Sequence, residues 1–243
     1  MAPGLPVDAP AAGSEFQPKL IYLARRNPAL ASRRDFVARW RQHGALGMSL
    51  PRWRNVARYV HCDALDLPPP TPGVDASYDG IGIVWHRSPA ARAAHVADTG
   101  SRLQMERDEL ETFARPIVET CLLARERVLL APQDTARAPV KLTRFLHAGD
   151  DPPALRLAAG GPDTVTSRQR ELAAAGAPAR GHVLNLPLPP ERATTWGLAC
   201  AAIEELWFDD AEAARAAARW FAAATVAPAA IAMITNEVLL YST

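Results

Sequence analysis

The stretch Ile203-Glu204-Glu205-Leu206-Trp207-Phe208-Asp209-Asp210 decides how this chain is read, because a degraded copy, Ile81-Gly82-Ile83-Val84-Trp85-His86-Arg87-Ser88, stands half a chain earlier. Each copy is a short run of branched and aromatic residues around a tryptophan. Each is followed by residues that open helices, Asp209-Asp210 in one and Ser88-Pro89 in the other. Both read as strand, tight turn, helix. Further landmarks recur at the same spacing of 122 positions: Lys141-Leu142 after Lys19-Leu20, and Ala179-Arg180 after Ala57-Arg58. The register shifts in the second helix, beyond which Val238-Leu239-Leu240 follows Val128-Leu129-Leu130 by 110 positions. A period held over most of a chain marks an internal duplication, here with a second copy about twelve residues shorter in that helix.

Within the first copy, residues 19–25 form a strand ended by Asn27-Pro28. Ser32 with Asp35 three positions on resembles a capping box. Phe36, Trp40 and His43 then follow at helical spacing, on one face of a helix that Gly44 and Gly47 close. A second strand at 56–61 sends Tyr59 and His61 to one face. The four prolines of residues 67–77 mark a loop or inserted arm, a lid or a dimer contact by its position. A third strand, Gly80–His86, leads into a helical region from Ser88, broken near Gly100, and residues 127–131 supply the fourth strand. The order β-α-β-β-α-β is the ferredoxin-like split unit.

The fold class expected is therefore α+β. Two tandem ferredoxin-like units, each with both helices on one sheet face, cover each other's bare faces and make an intrachain dimeric α/β-barrel, a pseudo-dimer. The divisions are a disordered tail at 1–18, a first domain at 19–131, a linker at 132–139 and a second domain at 140–243.

The run Glu205-Leu206-Trp207-Phe208-Asp209-Asp210, the opening Lys19-Leu20-Ile21-Tyr22-Leu23-Ala24-Arg25-Arg26 with Asp35-Phe36 and Trp40-Arg41-Gln42-His43, and Arg58-Tyr59-Val60 resemble the EthD family of the dimeric α/β-barrel superfamily. The resemblance spans residues 19 to 241 as two copies. It implies a small-molecule cavity, and for chemistry only a range: monooxygenases without cofactor, cyclases, dehydratases, decarboxylases, isomerases, haem enzymes and non-catalytic members. The first copy keeps the helix-end histidine, His43, but has lost the Glu-Leu-Trp-Phe-Asp-Asp pattern. The second keeps the pattern and has Val165 where His43 would recur. The halves have specialised.

Composition narrows the classes. A net charge of +1 from interspersed signs, with no basic stripe, argues against a nucleic-acid partner. The tail has neither the basic start nor the apolar core of a secretory signal. The uncharged run at 220–235 is too short and alanine-rich to span a bilayer, so no membrane partner is expected. Three scattered cysteines outside any CxxC pair fit reduced thiols and a cytoplasmic setting. No histidine pair has helical metal-ligand spacing, and neither a phosphate loop nor a GxSxG elbow occurs. The expectation is no metal and no cofactor.

Four residues are candidates for catalysis. His43 shares the inward stripe of its helix near the end, where the helix dipole favours the protonated imidazole. Tyr59 and His61 supply a hydroxyl and a base if their strand face looks into a cavity, and are core residues if it looks toward the helices. Glu205 shares a parity with Trp207, away from the greasier Leu206 and Phe208. It is either a partly buried acid with a raised pKa or the partner of Lys141, Arg144 or Arg180. Trp85, Trp207, Trp40, Tyr22 and His86 are candidate walls for a hydrophobic substrate, aromatic or polyketide-like. Lesser candidates are His147, His182 and Arg25. With histidines, tyrosine and carboxylate as the candidate groups, the expected chemistry is cofactor-free acid–base work of a lyase or isomerase. The alternatives are a cofactor-independent monooxygenase and a non-catalytic binding module, and a homodimer of the whole chain is a compatible assembly.

Overall fold

Alternation along each strand divides the side chains between two faces, and eight strands close here into one antiparallel barrel with one face inward and one under helices. The computed structural model describes residues 16–132, 140–147, 162–189, 200–223 and 230–243, with the backbone alone at 162–165. Its elements run β1 (Lys19–Ala24), α1 (Arg33–Ser49), β2 (Val56–Ala64), β3 (Gly80–His86), α2 (Pro89–Ala97), α3 (Thr99–Thr112), β4 (Cys121–Leu130), β5 (Val140–His147), α4 (Pro162–Ala174), β6 (Gly181–Pro187), β7 (Cys200–Phe208), α5 (Ala211–Ala223) and β8 (Ile231–Ser242). Around the barrel the order is β1-β3-β2-β8-β5-β7-β6-β4. The halves meet where β2 pairs β8 and where β4 pairs β6. The fold is thus a mixed α+β closed barrel.

The ladders repeat with the tryptophan strands in register: Lys19 stands opposite Trp85 in the first half and Lys141 opposite Trp207 in the second. The last strands obey a different offset from the Val-Leu-Leu match. Ala124 faces Lys19 where Thr235 faces Lys141, which makes Glu126 the counterpart of Glu237. A slip of one residue exchanges the two faces of a strand, so the ladder and not the text settles this pairing. β4 also begins six residues earlier than its expected start at Arg127. The charged Arg125-Glu126-Arg127 looks like a strand boundary, yet Glu126 has a partner inside the barrel.

That interior holds an apolar layer, in which Ile21, Leu23, Val60, Ile81 and Ile83 meet Phe145, Ile203 and Met233. Beside it lies a balanced ionic layer. Lys19 bonds Glu205, and also Glu126 at 2.7 Å. Lys141 bonds the other Glu205 oxygen at 2.8 Å and Glu237 at 2.9 Å, and Arg58 bonds Glu237 at 3.0 Å. Each tryptophan closes one side: Trp85 donates to Glu126 at 3.3 Å under the Lys19 ammonium, and Trp207 donates to Glu237 at 3.2 Å under that of Lys141.

Local signals place the helices. Ser32 caps α1 through the Asp35 amide, Ser88 caps α2, Asp98 caps α3 at the break expected near Gly100, and Asp210 accepts the Ala213 amide at the start of α5. α1 continues to Ser49, past the expected stop at Gly44 and Gly47. A side chain at Gly44 would press on the Tyr59 ring at 3.2 Å, so that glycine serves a close approach and not a helix end. The proline-rich arm at 67–77 packs across the second half: Leu67 and Val74 join the cluster of Leu206, Phe208 and Phe221, and Arg215 of α5 donates to Pro69 at 3.0 Å. Among the described residues no helix is long and apolar enough to cross a membrane. Residues 1–15 and 133–139, most of the expected tail and linker, lie outside the described residues.

Removing Glu205 leaves Lys19 with Glu126 and Lys141 with Glu237 as remaining partners, and leaves the buried layer with one uncompensated positive charge. Glu205→Ala is expected to cost about 3–5 kcal/mol, read as a lowered urea midpoint. A midpoint within error of the parent's would show that the ionic layer does not hold the barrel.

Candidate active site

On the outer face of the first half, Tyr22, Tyr59 and Val84 look toward the helices, and between sheet and helices lies a cavity of about 540 Å³. Its roof comes from α3, through Met105, Glu109 and Leu110, and from the turn at Ile117 and Val118. Among the described residues of the second half, α5 alone follows the corresponding strand β7.

The floor rests on Gly82. It pairs with Tyr22 on one side and His61 on the other, and a methyl group there would run into the Tyr22 ring. Tyr22 therefore lies flat across the sheet and reaches other polar groups. Trp40 Nε1 donates to its hydroxyl at 3.1 Å, and the Tyr59 hydroxyl stands 3.2 Å away. Tyr59 in turn meets His61 Nε2, whose ring stacks on Trp40 with centroids 3.7 Å apart. His61 Nδ1 faces the Arg41 guanidinium, itself bound to Asp63.

Donor accounting gives this chain a direction. A guanidinium only donates, so His61 Nδ1 accepts and a neutral ring carries its proton on Nε2, toward Tyr59. Burial, reinforced by Arg41, pushes the His61 pKa well below its ordinary value, which keeps the ring neutral. Of the two phenolic protons, one joins the tyrosines and the other has no acceptor in the network. Both tyrosines line the cavity, so the pair brings a surplus O–H donor to its wall. Burial raises both phenol pKa values, and the donors remain protonated at neutral pH.

His43, on the same wall, is held by Asp108 of α3, Nδ1 to Oδ2 at 2.6 Å, while Arg39 holds the other carboxylate oxygen at 2.6 Å. With Nδ1–H donated to the carboxylate, Nε2 is the nitrogen left to accept a proton. Burial lowers the His43 pKa and Asp108 raises it again in part, so the net shift is downward, against the expected effect of a helix end. Burial would raise the Asp108 carboxyl, but Arg39 and His43 hold it below its usual value. Burial lifts Glu109, nearby on the roof, to about 7, and it accepts the Ile117 amide at 3.0 Å.

The structure thus brings Tyr22, Trp40, His43, Tyr59 and His61 together. Tyr22, His43 and Tyr59 line the cavity, with Trp40 and His61 directly behind. His86 is buried at the far end of β3, edge-on to His95 with centroids 4.9 Å apart, and His95 is on the wall. Burial, with Arg92 and His95 adding to it, pushes His86 down to about 2. Trp85, Trp207 and Glu205 lie on the opposite sheet face, in the barrel interior. The parity assigned to Glu205 and Trp207 holds, but the cavity is on the other side of the sheet. Burial alone would raise the Glu205 carboxyl, while Lys141 and Lys19 hold it below the usual carboxylate range. Of its three expected partners only Lys141 bonds it. Arg144 pairs with Glu204 and Arg180 with Asp209.

Sequence reading missed Asp108, Glu109, Arg41 and Arg52. Nothing in a single chain links Asp108 to His43 across 65 positions. In the second half Glu204 occupies the position of Gly82 and binds Arg144 and His182, the latter at 2.8 Å, with the Arg144 guanidinium 3.7 Å from the Phe221 ring. Buried ions and a helix fill the space that is open in the first half. Among the described residues, no group of three or more His, Cys, Asp or Glu is placed to hold a metal ion.

No family model and no curated protein matches the chain. Among solved structures it is similar to an anthrone oxidase-like protein, at 14% identity and a TM-score of 0.52 over 93% of both chains. It is also similar to a Fusobacterium nucleatum protein described as a monooxygenase, at 7% identity and a TM-score of 0.51 over 93% of this chain and 94% of that one. At these identities the likeness is one of fold, that of the dimeric α/β-barrel proteins.

Gly82→Ala would lift the Tyr22 ring and separate it from Tyr59, at a cost of about 1–3 kcal/mol. Thermal unfolding and near-ultraviolet circular dichroism would show it, and a variant with the parent's melting point and aromatic spectrum would contradict the packing described.

Proposed function

We propose that the chain is a cofactor-independent enzyme that moves a proton on a small, mainly apolar molecule, aromatic or polyketide-like, bound beneath α3. The observation that carries the reading is the pairing, on one cavity wall, of an imidazole oriented by a carboxylate with a phenolic proton left without an acceptor. His43 takes a proton from carbon next to a carbonyl. The one surplus O–H of the Tyr22–Tyr59 pair donates to the oxygen on which negative charge develops, and the Arg41–His61 pair fixes the direction of the chain. Return of the proton elsewhere on the carbon frame completes an isomerisation; departure of hydroxide as water completes a dehydration. Both are lyase or isomerase steps.

The tandem reading belongs here too. Two EthD-like, ferredoxin-like units at 19–131 and 140–243 are supported by the matched ladders Lys19 to Trp85 and Lys141 to Trp207, and by the equivalence of Glu126 with Glu237. On that reading the first unit carries the chemistry, and the second retains the signature as scaffold.

A surrogate reaction tests the proton step. In deuterium oxide the wild-type protein is expected to accelerate exchange of the C1 protons of 2-tetralone, followed by proton NMR. His43→Asn should lose about 10²–10⁴-fold of that acceleration, and Tyr22→Phe with Tyr59→Phe a comparable part. No acceleration by the wild type, or full acceleration by His43→Asn, would overturn the reading. Consumption of dioxygen with formation of an oxygenated product would point instead to a monooxygenase using the same base.

The pH profile is a separate check. A base must be unprotonated, and burial lowers the His43 pKa from its ordinary 6.5. Exchange should therefore stay level through that pH and fall only as acidity passes below it. Asp108→Asn, which removes the group holding the pKa up and the ring in place, should move this limb further down and reduce the plateau. An acid limb unmoved in Asp108→Asn would deny the pairing a role.

A further inference from the structure

Charged groups on the cavity wall are costly unless something answers them. Arg102 is answered by Glu106 at 2.7 Å, and Glu109 by the Ile117 amide. Arg92 approaches His86 at 3.4 Å. Arg52 differs. It stands on the single 3-10 turn Pro51–Asn55 between α1 and β2, beside Trp53, and both line the cavity. Only its carbonyl is engaged, by Asn55 at 3.1 Å and His95 at 3.2 Å. Its guanidinium forms no ion pair or hydrogen bond among the described residues, and its Nε is buried without a partner.

We infer that Arg52 is a ligand-binding residue and that the molecule taken up here carries a carboxylate on its otherwise apolar body, which the Arg52 guanidinium receives. This rests on the proposed function and adds the chemical class of the substrate. The lining of the cavity suits such a molecule. Leu20, Val84, Met105 and Ile117 offer apolar walls for the body, and the tyrosine pair with His43 meets the reacting carbonyl. A guanidinium fork matches a carboxylate in shape as well as charge. The charges around Arg52 do not forbid an anion. Glu106 is paired, Glu109 sits near 7 through burial and is partly neutral at neutral pH, and Arg92 adds positive charge, with Asp98 and His95 as the other titratable groups of this end. Burial lowers the Arg52 pKa, and the nearby carboxyls of Glu109, Asp98 and Glu106 oppose that shift without bonding the guanidinium.

Two isosteric probes, 1-naphthoate and 1-naphthamide, separate charge from shape. Titrated calorimetrically at pH 7.5, the wild type is expected to bind the naphthoate about tenfold more tightly. Arg52→Met should abolish that preference by weakening the naphthoate alone, and Arg52→Lys should keep part of it. Unchanged naphthamide binding shows that the variant is folded. Equal affinities in the wild type, or a preference that survives Arg52→Met, would overturn the inference while leaving the proposed function standing. If neither probe binds, or if both bind Val84→Trp, which pushes an indole into the cavity, as tightly as the wild type, the cavity reading fails first and this one with it.

Discussion

Inside the barrel, two lysine ammoniums, from β1 and β5, share the carboxylate of Glu205, and the rest of the ionic layer is arranged around that sharing. Lys19 belongs to the first half and Lys141 to the second, so the ion cluster ties the halves across the centre. Three cations, Lys19, Lys141 and Arg58, face three carboxylates, Glu126, Glu205 and Glu237, in an arrangement that leaves no net charge to bury. An unpaired ion at this depth would cost several kcal/mol. Burial opposes ionisation of Glu205 and Glu237, and Lys141 is the main group that overcomes it, holding both carboxyls below their usual values. Such stabilisation is present above the ordinary carboxylate pKa and is lost as pH falls through the depressed values.

Because the interior is committed to ions and packed aliphatics, the cavity opens outside it, between sheet and helices. The two halves treat that outer face differently through one strand position. Gly82 lets a tyrosine lie across the sheet and a helix pair arch over it. Glu204, its counterpart, recruits Arg144 and His182 and closes the space under Phe221. The same sheet geometry thus supports a hollow in one half and a solid ionic plug in the other. The proline-rich arm of the first half reinforces the plugged side by packing on α5.

Much of the fold was legible in the text. Strand alternation placed Leu206 and Phe208 under a helix and Glu205 and Trp207 on the other face, and Ser32, Ser88 and Asp210 marked helix starts where they occur. The candidate site was legible by residue type: His43, Tyr59, His61, Tyr22 and Trp40 meet in space. What misled was the sign of one face. Tyr59 and His61 look toward the helices, which sequence reasoning equates with a filled core, whereas α3 stands off far enough to leave a cavity there. Trp85 reads equally as a ligand wall or as a plain core tryptophan, because a tryptophan amid branched residues carries no mark of the lysine that stacks on it.

The sequence by itself determined the period, the alternation of faces and the helix caps, because these depend on neighbours within a few positions along the chain. Only the tertiary structure decided the partners: Asp108 for His43, Arg41 for His61, Glu126 for Lys19, and, among the described residues, none for the Arg52 guanidinium. It also decided the register of the last strands, where the textual match of Val128 with Val238 would put Glu126 and Glu237 on opposite faces. The reason is physical. A hydrogen bond or ion pair across the barrel depends on distances set by strand register and helix stand-off, and one chain records neither beyond the reach of a turn.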